Sequence, residues 1–254
     1  MHRYPAPPRG LATALLLCTA LCQPANAAPA TGRWSAVLPL LAGTYGGKAG
    51  GTCAAQPASA GSANGMIQVT AAGKVRAPGI DIDVANSVIA DIERRRTADG
   101  TAVSVALVSA DQKTSLAVGR VAGMDLAQTR AGPHAFNCEG VRLPAALDQQ
   151  ALVLTLAGML DGNGTIECQA TPDEKPRQLA FALARGRATL GEHALDLSTA
   201  TDEQFSRGAD GAAKYQAQLA DGRSFIVYYD DNGKVRNIAI LHRGRDVIGC
   251  GPDA

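Results

Sequence analysis

Glycine follows asparagine or aspartate at seven places along this chain: Asn64-Gly65, Asp99-Gly100, Asp161-Gly162, Asn163-Gly164, Asp210-Gly211, Asp221-Gly222 and Asn232-Gly233. No other feature restricts the fold as much. Such pairs accept the positive φ of tight hairpin turns, which β-branched residues refuse. Between them lie short runs in which apolar and polar residues alternate, the period of a half-buried strand. The expected architecture is all-β, with antiparallel sheets of the meander, sandwich or open-barrel type.

The clearest hairpin is Ser224 to Leu241. With Asn232 and Gly233 as the tips of a type I′ turn, Asp231 faces Lys234, Tyr229 faces Arg236, Val227 faces Ile238 and Phe225 faces Ile240. That register gathers four apolar residues on one face, and a slip by one residue would scatter them. Gly79 to Asp83 also alternates, and Ala102–Leu107 with Ser115–Val121 reads as a hairpin around Asp111-Gln112. Leu143-Pro144 followed by Ala145 to Leu160 fits a helix with proline at its first position, or a strand with Leu152, Leu154 and Leu156 inward; the strand is preferred because a turn signal ends the run. Ser198 to Gly208 is expected to hold one helical turn capped by Thr201 or Asp202, and Ala54 to Gly65 to be a mobile loop. No residue-level repeat is visible between the two halves.

Residues 1–27 have the form of a secretory signal peptide: Arg3 and Arg9 at the start, an apolar run from Leu11 to Leu21, and the small-x-small site Ala25-Asn26-Ala27. The run falls short of the about 20 residues that span a bilayer, so the mature chain is expected to begin near Ala28, without a transmembrane segment, in the periplasm or outside the cell. Ala, Gly and Arg usage suggests a bacterium with a GC-rich genome. Cleavage would remove Cys18 and Cys22 and leave Cys53, Cys138, Cys168 and Cys250. In an oxidising compartment an even set of separated cysteines reads as a disulfide framework, and no CxxC points to zinc or redox chemistry. Of the three pairings, Cys53–Cys138 with Cys168–Cys250 closes one loop in each half. Two β-rich modules are expected, residues 28–143 and 144–254.

The formal charge is +1, falling to −1 without Arg3 and Arg9. A basic stripe interleaved with aromatics is missing, which sets nucleic-acid binding aside. One Trp, Trp34, cannot build a sugar platform. Asp161, Asn163, Thr165 and Glu167 match the first positions of a calcium loop, but its bidentate Glu would fall at Pro172; they are weak metal candidates beside the plainer reading of a solvated turn. Asp81 and Asp83 share a strand face at a spacing that suits paired carboxylates, yet alternation with Ile80 and Ile82 makes them the wet side of a sheet. His134, His193 and His242 have no GxSxG elbow, and Ser224 sits in a strand. Arg94-Arg95-Arg96, and Lys234 with Arg236, His242, Arg243 and Arg245, neighbour acids and read as cross-strand ion pairs on a wet face, or as a contact for an acidic partner. No catalytic residue and no cofactor is assigned. The expected function is that of an exported, soluble, non-enzymatic binding or envelope-associated protein with a protein as its partner, including the case of an inhibitor or immunity partner of an exported enzyme; the alternatives are an unrecognised periplasmic hydrolase and a structural surface module.

Overall fold

The structure is a computed structural model, and it describes residues 41–45, 52–56, 62–64, 66–70, 72–77, 80–83, 87–109, 111–138, 140–144, 161–170, 174–184, 186–208 and 210–252. The expected leader at 1–27 and the run containing Leu152, Leu154 and Leu156 lie outside these residues. In order the strands are β1 (Gly43–Tyr45), β2 (Thr52–Gln56), β3 (Ser62–Asn64), β4 (Ile67–Val69), β5 (Lys74–Ala77), β6 (Ile80–Asp83), β7 (Ser87–Thr97), β8 (Gly100–Ser109), β9 (Thr114–Val121), β10 (Met124–Ala131) and β11 (His134–Cys138). They continue with β12 (Gly162–Gln169), β13 (Arg177–Ala184), β14 (Arg187–Leu190), β15 (His193–Asp196), β16 (Ala200–Arg207), β17 (Ala213–Leu219), β18 (Arg223–Tyr229), β19 (Val235–His242) and β20 (Arg245–Cys250). The protein is all-β and its ladders are antiparallel. No helix among the described residues is long and apolar enough to cross a membrane.

Alternation decides which face each strand buries. In β17 the side chains of Tyr215, Ala217 and Leu219 are buried while the intervening polar residues are half-buried; in β18 Phe225, Val227 and Tyr229 are buried in the same way. These rows join one continuous core with Ile92, Val105, Leu116, Val118, Ile238 and Ile240. One sheet has the order β1-β4-β5-β6, and a sixteen-stranded sheet runs β15-β14-β13-β12-β20-β19-β18-β17-β16-β7-β8-β9-β10-β11-β2-β3. The small sheet touches β9 and β10 through β6. At the other end Arg223 reaches round to the carbonyl of Ala194 on β15, 3.2 Å away. The large sheet therefore curls until an edge strand meets the β17–β18 turn.

Part of one strand plan recurs in both halves, although β4–β6 form a separate sheet with β1 while β13–β15 continue the large sheet. The pairs Val75–Ile82, Val105–Val118, Ala127–Cys138 and Cys53–Cys138 of the first half recur as Ala188–Leu195, Tyr215–Val227, Ile238–Cys250 and Cys168–Cys250 in the second. The halves meet where β7 pairs with β16, from Ala90–Arg207 to Arg95–Asp202.

Several local expectations change. Val227 does face Ile238 and Phe225 faces Ile240, but a bulge puts Val235, not Arg236, opposite Tyr229. Only Gly233 takes a positive φ in that turn, +74°. Its N–H donates to the carbonyl of Asp230, while the Asp230 carboxylate accepts from the N–H groups of Asn232 and Lys234. The turn is therefore closed by an aspartate side chain and a left-handed glycine, rather than by two residues with positive φ. Asn232→Pro is expected to lower stability by about 1–3 kcal/mol, because proline removes the N–H that Asp230 accepts and restricts Asp231 before it; equal thermal midpoints for variant and wild type would contradict this turn.

Residues Gly162 to Gly164 lie in β12 and not in turns. A Cβ on Gly164 would come within 3.0 Å of the Phe181 ring, its cross-strand neighbour, so glycine there lets the aromatic cover the strand. Ala54 to Gly65, expected as a loop, contains the end of β2 and all of β3. The helical turn expected in Ser198–Gly208 is a 3-10 turn at Leu197–Thr199, capped by Asp196, which accepts from the Ser198 N–H. Thr201 and Asp202 belong to β16, since Glu203, Phe205 and Arg207 alternate inward.

Candidate groove between β12 and β19

A groove able to receive another molecule begins where β20 ends. Cys168 and Cys250 face each other and are joined by a disulfide. One residue on, the Gly251 N–H donates to the Glu167 carbonyl, 2.8 Å away. Gly251 has a φ of +120°, and a Cβ there would lie 2.6 Å from the Arg236 carbonyl. Only glycine threads this gap. Gly251→Ala should cost about 1–3 kcal/mol through backbone strain and displacement of Arg236, read as a fall in thermal midpoint; an unchanged midpoint would refute the tight passage.

Past Gly251 the flanking strands separate. Among the described residues, Gly162–Ile166 of β12 pair with β13 alone, and Val235–Asn237 of β19 pair with β18 alone. Between them opens a groove of about 610 Å³. Ile166, Phe181 and Val235, each only partly buried against the core, give it apolar surface. Asn163, Thr165 and Glu167 stand exposed along one rim, with Lys234 and Arg236 on the other. A second hollow, of about 750 Å³, adjoins at Arg236, where the Lys214 ammonium lies over the exposed Tyr228 ring, 5.6 Å from its centroid, beside Asp230 and Asp231.

The metal candidates Asp161, Asn163, Thr165 and Glu167 thus border this groove. Their run is extended, which spaces alternate side chains about 6–7 Å apart in a row instead of around a point. Among the described residues no group of three or more His, Cys, Asp or Glu side chains is placed to hold a metal ion. His134, His193 and His242 lie on β11, β15 and β19, which are not neighbours in the sheet. The Ser224 hydroxyl donates to Gln218. Asp81 is exposed and lies 4.0 Å from Arg76. Cys53 stands directly opposite Cys138 in the β2–β11 ladder.

The arginine run departs from the expected wet face. Arg95 does pair with Glu93, but Arg94 is buried, and its Nε donates to Glu203 Oε2 at 3.1 Å. The other Glu203 oxygen accepts from the Tyr215 hydroxyl at 2.5 Å, and Arg94 also donates to the Ala200 carbonyl. Burial pushes the Glu203 carboxyl up despite these donors, and burial with the adjacent carboxylate holds the Tyr215 phenol well above its ordinary value. Tyr215 is therefore a neutral donor at any physiological pH. The sequence signal was parity: Ile92 and Arg94 share a face, opposite Val105 and Val103.

A second polar clamp closes the first half. Arg120 pairs with Asp125 at 2.7 Å, Asp125 accepts the Leu143 N–H at 2.7 Å, and Arg120 donates to the Leu143 carbonyl at 3.2 Å. Burial raises the Asp125 carboxyl, but the hydrogen bonds from Arg120 and Leu143 outweigh it and leave it below the usual range. A depressed folded-state pKa gives stability that is present above the unfolded value of about 4 and lost as pH falls through the folded value. Asp125→Asn should accordingly cost about 1–3 kcal/mol at pH 7 and much less near pH 2; urea midpoints differing equally at both pH values would sink this assignment.

No family model, curated protein or solved structure matches the chain. Chemistry must therefore be read from the groove itself. Its exposed rims offer backbone and side-chain hydrogen-bonding groups above an apolar floor, which suits recognition of an extended ligand.

Proposed function

We propose that this chain is an exported, non-enzymatic binding protein that presents the β12–β19 groove to a protein partner. The open edges of β12 and β19 over partly buried Ile166, Phe181 and Val235 are the observation that carries this reading. The leader-like residues 1–27 support release into the periplasm or the medium, and the Cys168–Cys250 bridge fits an oxidising compartment. In this reading Cys53 and Cys138, opposite each other in their ladder, form the second bridge, and residues 28–143 and 144–254 are the two β-rich modules.

A photo-crosslinking residue replacing Thr165, on the groove rim, is expected to yield a partner adduct in cells expressing the exported protein. The same residue replacing Asp99, on the exposed β7–β8 turn, should yield none. Adducts from Asp99 alone, or from neither position, would overturn the groove as the binding site. Substrate turnover abolished by replacing His134, His193 or His242 would favour a hydrolase instead.

A further inference from the structure

We infer that the groove is an open strand position, filled by one extended segment of a partner protein that adds between β12 and β19 as a continuation of β20; this rests on the reading that the groove is the binding site. The first half of the chain shows what such a position accepts. There Cys138 of β11 faces Ala127 of β10 and Cys53 of β2, as Cys250 of β20 faces Ile238 of β19 and Cys168 of β12. Beyond Cys138 the chain itself continues past β10, with Val141 and Leu143 buried and Arg142 exposed. Asp125 and Arg120 grip the backbone of Leu143 from both sides. By the shared register, Asp125 on β10 corresponds to Arg236 on β19.

In the second half no described residue is paired with β12 or β19 at the corresponding place. After Cys250 the chain narrows through Gly251 to an exposed Pro252, which has no N–H to give a ladder. The groove opens at that point. Alternation along β12 directs the backbone groups of Asn163 and Thr165 to the same edge as the Glu167 carbonyl, which already accepts from Gly251. From Asn163 to Glu167 this edge offers roughly 13 Å of strand. Ile166 and Phe181, partly buried against the core, provide apolar surface in the groove, while Val141 and Leu143 are core residues in the other half. The occupant is thus a short extended peptide with apolar, polar and apolar residues in succession, running antiparallel to both flanking strands.

The test pans a phage-displayed random decapeptide library on the oxidised mature protein and measures affinity of the best peptide by fluorescence anisotropy. N-methylation at alternate backbone amides should weaken binding by about tenfold or more, and at the intervening amides by much less, because only one set of N–H groups faces each neighbour. Thr165→Pro, which removes a groove-facing N–H while sparing the β13 ladder, should also weaken binding by about tenfold. Grafting the sequence Val141–Pro144 after Pro252, in place of Asp253 and Ala254, leaves Gly251 in its gap and should block binding by self-occupation, independently of whether Thr165→Pro folds.

Binding that shows no two-residue period in N-methylation, binding untouched by the graft, or a library that yields no groove-dependent peptide would each overturn strand addition. So would a mature protein that dimerises and is returned to monomer by Thr165→Pro, since the occupant would then be a second copy. If the Thr165 crosslinks persist through such a failure, the groove remains the binding site and only its mode is wrong. Loss of the crosslinks removes both readings.

Discussion

Glu203→Ala is expected to lower stability by about 3–5 kcal/mol, the range for removing one partner of a buried ion pair. The substitution strips Arg94 of its carboxylate and Tyr215 of its acceptor in one step, in a place where water cannot replace them. The cost arises from the orphaned charge more than from the lost attraction. Replacing both charges, with Arg94→Met and Glu203→Leu, should therefore recover part of the loss, since it removes the orphaned charge and leaves only the Tyr215 hydroxyl and the Ala200 carbonyl without their partners. Chemical denaturation of the two variants distinguishes the effects: a double variant as unstable as Glu203→Ala would show that the site depends on the ion pair itself.

Opening the Cys168–Cys250 bridge should cost about 2–5 kcal/mol, given the 82 residues that separate the two cysteines. Its local effect is sharper than its global one. Among the described residues only Cys168–Cys250 and Gln169–Gly249 pair β12 with β20, so the bridge pins one end of the groove. In the Cys168→Ser, Cys250→Ser double variant, amide exchange along Gly162–Gln169 should quicken more than along β17 or β18. Equal midpoints for oxidised and reduced protein would contradict the expected stabilisation, and uniform exchange would contradict the pinning.

The strand content and the inner half of the Ser224–Leu241 hairpin were legible because local alternation and local pairing agree there: Phe225 meets Ile240 and Val227 meets Ile238 as expected. The turn was not, because Asp230 supplies side-chain acceptors that no pattern of φ preferences reveals. Arg94 was misread for a different reason. Its partner Glu203 lies 109 residues away, and a run of three arginines resembles a solvated edge until a neighbouring strand covers one of them. The shared plan of the halves was hidden because corresponding positions hold different residues, Val105 against Tyr215 and Ala127 against Ile238. The groove was hidden most deeply of all. It lies beyond the last residue of β20, and the alternation of β12 looks the same whether or not a strand lies beside it.

Asp83 to Ser87 corresponds to Asp196 to Ala200, so Arg94 matches Arg207 and Ala90 matches Glu203; across the joint between β7 and β16 Arg94 faces Glu203 while Arg207 faces Ala90. This is the geometry of an isologous contact, folded into one chain. Two second halves brought together along β16 would set a carboxylate opposite an arginine twice over. Two first halves meeting along β7 would set Ala90 opposite Arg94 twice, with no counter-charge across the contact. A contact along β16 would thus be charge-paired and one along β7 would not, and Glu203 makes the difference.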